Sequence, residues 1–273
     1  MDKRKITSLT RPLDLSDKGN LLIVLITAII FLTSTAHHYI FTGKITIAFF
    51  AGIEVSLIIF LTWAISRELD PDHAFSAFVP VIFVLIIILL FGANSILPML
   101  WIIMILRTIN RTTGSMASIP DILIILFLGI LLTFQVSWIY GMLTGLGLIA
   151  DSRLPLPIRH GFIAGIIIVI VSLLTLISED MTLSALSLSD YPILIAISIL
   201  FLPVMIGSSE LQSMGDRTGE PLDPARVRTA QLMVLVIIFS LNIGGVNGWL
   251  YVMYCILAGI GVYWIFSGRV IVA

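Results

Sequence analysis

The chain holds a single cysteine, Cys255, and very little charge. One thiol excludes an internal disulfide and a metal site built from several cysteines. Set in the apolar run "YVMYCILAGI", it reads as a small buried hydrophobe. Charged residues make up 11% of 273, where soluble domains carry about a quarter. The net charge of −1 leaves no basic footprint for nucleic acid. The sequence also lacks a Walker loop, a zinc-protease histidine pair, a nucleophile elbow, an aspartate-rich prenyl-diphosphate motif, low-complexity tracts and a clear internal repeat. No motif assigns a cofactor, and none assigns a metal.

Apolar residues fill the space that charge leaves. They form 59% of the chain, and mean hydropathy is +1.13. One soluble core could not hide that much apolar surface, so the composition predicts an all-α, polytopic transmembrane bundle in the cell membrane. Residues 1–20 form a polar, mildly basic segment, and 21–273 form a single transmembrane domain. Ser34 and Ala36 mimic a signal-peptidase site, but the long polar start and the spans that follow favour an uncleaved first span.

Single helices are predicted at about 21–37, 45–66, 161–178, 191–207, 230–243 and 249–266. Blocks 76–106 and 121–150 are long for one span and short for two. The first is interrupted by "GANS" and Pro98, the second by Gln135, Ser137 and three glycines. If both are hairpins, there are ten short spans with both termini cytoplasmic. Fourteen of the 15 Lys and Arg residues then share the cytoplasmic face, and only Lys44 lies opposite. Eight spans is the alternative and keeps twelve inside. The stretch "SEDMTLSALSLSD", which has no Lys or Arg, falls outside in both.

The stretch "SRELDPDHAF" (66–75) poses the central question, because it is either a chemical site or a helix junction. Asp70–Pro71 reads as a helix start, with Asp72 in the first turn. Asp223–Pro224 and "SIPD" (118–121) repeat that grammar. Capping leaves Arg67, Glu68 and His73 unexplained. It also leaves two similar loops, "RTINRTTG" with Arg111 and "GDRTGEP" with Asp216, Arg217 and Glu220. Such loops can present guanidinium and hydroxyl donors to an anion. Glu68, Asp72, Asp216 and Glu220 could instead offer oxygen ligands to a divalent cation. The plainer reading is that these charges neutralise one another at the interface.

Glu54 stands apart, near the middle of an apolar span, where an acid is functional by default. Asn94, Gln135, Asn242 and Asn247 are weaker polar candidates and suit hairpin ends. His37 and His38 fall on the face opposite His73 and His160, which excludes a shared metal site. Asn110-Arg111-Thr112 matches a glycosylation acceptor, but on the inside face.

The favoured function is a transporter or permease for a small solute, anions included, using Glu54, Arg111 and Arg217. One alternative is a membrane-embedded enzyme acting on a lipid or isoprenoid phosphate, with Glu68 and Asp72 as metal ligands or acid/base groups. The other is a non-catalytic subunit of a membrane complex. Partners are the bilayer, a small-molecule or lipid substrate, and possible companion subunits.

Overall fold

The computed structural model describes residue 9 and residues 13–92, 96–178, 191–246 and 248–267. Among these residues the chain forms ten α-helices, and its one extended feature is an isolated bridge between Met214 and Pro221. The long pair α1 (Lys18–Thr42) and α2 (Ile45–Leu69) turns at Gly43, whose left-handed φ of 64° suits glycine. Both ambiguous blocks divide into two helices. The first divides into α3 (Phe78–Phe91) and α4 (Ile96–Asn110), the second into α5 (Ile119–Gln135) and α6 (Ile139–Asp151). The chain continues through α7 (Arg159–Ser178), α8 (Tyr191–Gly207), α9 (Pro224–Ile243) and α10 (Leu250–Phe266).

Four described helices, α1, α2, α7 and α9, are long and apolar enough to cross a membrane. The other six run from 13 residues in α6 to 17 in α5, α8 and α10. They are apolar but only about 20–26 Å long, against a hydrocarbon core of about 30 Å.

Within lipid, apolar burial does not draw helices together, so close packing must. α2, α4, α9 and α10 form the interior, where Ile58, Trp101, Ile237 and Ile256 are fully buried. α5, α6 and α7 gather on one side, while α3 and α8 pack on α10. Small residues allow these approaches. A Cβ on Gly145 would stand 2.8 Å from the Gly165 carbonyl, and one on Gly261 2.4 Å from that of Leu200. α1 has α2 as its main neighbour, with Gly52 set against Thr35.

The connections α2–α3, α4–α5, α6–α7 and α8–α9 meet at one end of the bundle, the near end. Backbone N–H groups of Gln212 and Ser213 donate to Asp72, and that of Asp216 donates to the Thr112 carbonyl. Arg226 donates to the Pro155 carbonyl.

Capping grammar holds at two of its three positions. Ser118 and Asp121 form a reciprocal capping box on α5, and Asp223 accepts the Ala225 N–H at the start of α9. It fails at Asp70. α2 ends at Leu69, and α3 begins at Phe78 rather than at Pro71. The following proline holds Asp70 outside the helical region, at φ −137°, ψ 77°. Its carboxylate is taken by side chains, and Asp72 serves another loop rather than a helix dipole. Asn94, Asn247 and the acidic stretch after Ser178 lie outside the described residues.

Candidate functional site

The near end holds a layer of buried charge. Glu68, in the last turn of α2, is fully buried. It accepts from Arg107 Nε at 2.9 Å and from the Thr112 hydroxyl at 2.7 Å, while Asn110 donates to its backbone carbonyl at 2.6 Å. Arg107 also reaches the Leu9 carbonyl at 3.2 Å. The end of α2 is thereby joined to the end of α4 and the loop that follows.

Asp151 is the second centre. It closes α6, and one carboxylate oxygen accepts Arg111 Nη2 at 3.0 Å and Arg226 Nη1 at 2.8 Å. The other oxygen accepts the backbone N–H of Ile158 at 3.0 Å, just before α7. Two guanidinium groups thus share one carboxylate in a site closed to water. Burial pushes the Arg111 guanidinium below its ordinary pKa; Asp151 draws it back up, and Arg226 pushes it down again. Arg111 has a left-handed φ of 54°, and its buried Nε finds no acceptor among the described residues.

The remaining groups fill in around these centres. Asp70 accepts from His73 Nδ1 at 2.7 Å and from Trp264 at 3.0 Å, and the His73 ring meets the Trp264 ring edge-on. Arg67 donates to the Pro71 carbonyl. Gln231 donates to the Leu69 carbonyl and to Ser208. The two similar loops lie directly against each other: Asp216 and Arg217 donate backbone N–H groups to Thr112 and Thr113, and Gly114 sits under Thr218. Glu220 is exposed at the rim.

Thus Arg67, Glu68, Asp72, His73, Arg111, Asp216, Arg217 and Glu220 all belong to one end of the molecule. Charge balance within loops did not reveal Arg107, Asp151, Arg226 or Trp264. The available signal was that Arg107, Asp151 and Arg226 each lie within a turn of a helix end that must face its neighbours. The carboxylates proposed as metal ligands are committed elsewhere, Glu68 to Arg107 and Thr112, Asp72 to backbone N–H groups. No metal-ligand cluster of three is present among the described residues.

Glu54 is not part of this layer. Asn110 contacts Glu68, and fourteen residues back from each along the parallel pair lie Ile96 and Glu54. Glu54 is therefore ~21 Å from the near-end layer, level with the start of α4. It is half-buried and has no hydrogen-bond or ion-pair partner among the described residues. Asn242 donates to the Tyr254 hydroxyl at 2.7 Å, and Gln135 is exposed at the end of α5. His37 and His38 meet edge-on at the far end of α1, away from His73.

Comparison with protein families, with curated proteins and with solved structures finds no match to this chain.

Proposed function

We propose that this chain is a multi-pass permease of the cell membrane, with ten spans and cytoplasmic termini, moving a small anionic solute together with a proton on Glu54. The observation that carries this reading is a contrast between carboxylates. Glu68, Asp70 and Asp151, all buried at the near end, are engaged in holding elements together, and Asp121 beside them caps its own helix. Glu54, in the middle of an apolar helix, holds nothing among the described residues. An acid kept in a span at a desolvation cost and spared from structural bonding suits a proton carrier.

Charge supports the choice of an anion. An ionised Glu54 would repel an anion, and a protonated one would not. Solute and proton would arrive together, and release of the proton would drive the anion off. The two guanidiniums on Asp151 leave that cluster with one net positive charge, which favours an anion beside it.

The test uses proteoliposomes containing a trapped pH dye, with an inward gradient of inorganic phosphate or succinate. The protein should couple a change in lumen pH to at least one of these anions, and Glu54→Gln should abolish it. No anion-dependent change above empty liposomes, together with an E54Q variant identical to the parent, would reject transport. The reading as a companion subunit would then gain, since much of α1 beyond its α2 contact is left uncovered.

A further inference from the structure

Glu54 and Glu68 lie on one stripe of α2. Steps of four, three, four and three residues from Glu54 lead through Ile58, Leu61 and Ile65 to Glu68, the spacing of a single helix face. Gly52, against α1, points to the opposite side. The three aliphatic side chains between the acids are 0%, 5% and 0% exposed, so a dry section separates them. The stripe ends in the Glu68–Arg107–Thr112 cluster.

That cluster sits in a layer with unsatisfied groups. Asn110 Oδ1, Arg111 Nε and Gln231 Oε1 are buried there without a hydrogen-bond partner among the described residues, and Arg111 has a strained backbone. A core built only for stability satisfies such atoms. Such groups leave room for a second arrangement, and packed interfaces switch between discrete states rather than stretch.

We propose that Glu68, Arg107 and Thr112 form the near-side latch of the path that Glu54 serves, with Ile58, Leu61 and Ile65 as its seal. The inference rests on the transport reading for its purpose. Closed, the latch holds the end of α2 to the end of α4 and keeps water from the seal. When Arg107 and Thr112 release Glu68, the two ends part and water reaches Glu54 from the near side.

The device can be read without a solute. In a Cys255→Ala background, Leu61→Cys reports on the seal, and a membrane-impermeant thiosulfonate is applied to either side of sealed vesicles. Thr218→Cys, in an exposed loop, identifies the near side. With the latch intact, Leu61→Cys should resist near-side reagent. Glu68→Gln with Arg107→Gln, which removes both charges together, should raise near-side labelling by about tenfold or more and leave far-side labelling unchanged. Thr112→Val, a milder change for use if the double variant does not fold, should give a smaller rise on the same side. Unchanged near-side labelling in a well-folded variant overturns the latch. So does an equal rise on both sides, which is general loosening. If labelling responds but no anion moves, the transport reading fails and the latch stands. If anions move and labelling does not respond, the latch alone fails.

Discussion

Asp151 shows how much one carboxylate can hold. It joins α6 to the start of α7, to the loop after α4 and to the first turn of α9. Asp151→Asn keeps an acceptor for the Ile158 N–H but leaves two buried guanidiniums without a counter-charge. Loss of one partner from such a pair costs about 3–5 kcal/mol. The unfolding midpoint of the variant in detergent should fall accordingly, and a shift within error would show that the site is wetter than described. The loss should be uniform across neutral pH. The Arg111 pKa is lowered in the folded state, so its burial penalty is constant below that value and is relieved only as pH rises through it, at the alkaline end where guanidinium titrates. At this scale Glu54 was legible in the sequence, because a lone acid inside an apolar run needs no tertiary information to stand out. Asp151 and Arg226 were not, because their meaning lies in partners 75 residues apart in the chain.

Among the elements, α10 is the wedge on which α3 and α8 rest. Gly259 meets Pro80 of α3, and Gly261 meets the Leu200 carbonyl of α8. A methyl at 261 would fall 2.4 Å from backbone rather than from a flexible side chain, so α8 itself must move. Gly261→Ala should destabilise by about 1–3 kcal/mol, as overpacking does. Gel filtration and thermal unfolding of the purified variant check this, and an unchanged midpoint would mean that α8 is free to slide. The division of 76–106 and 121–150 into two helices each was readable from breaker residues. The junction at "SRELDPDHAF" was misread, because an Asp-Pro pair looks the same before a helix as after one. Here Pro71 holds Asp70 out of the helix, so α2 ends, and His73 and Trp264 then take its carboxylate.

For the whole molecule, the bonds between residues 112–113 and 216–217 require both loops to lie on one side of any membrane. Thr113 is itself 1% exposed and would report poorly, whereas Met116 in the same connection is 47% exposed. Met116→Cys and Thr218→Cys, each without Cys255, should label from the same side of intact cells or vesicles, and Lys44→Cys from the other. Labelling of Met116→Cys and Thr218→Cys from opposite sides would overturn both the shared near end and the ten-span arrangement. Composition by itself determined that the chain is helical, apolar and suited to a bilayer, because exposed polar backbone is intolerable in lipid and no soluble core could absorb this much hydrocarbon. Breakers and positive charge determined the alternation of helices, since both act locally along the chain. Which charges pair, and which acid is left over, was decided only by tertiary structure. Ion pairing depends on distance in space, and folding brought Glu68 to Arg107 and Asp151 to Arg226 while leaving Glu54 without a partner among the described residues.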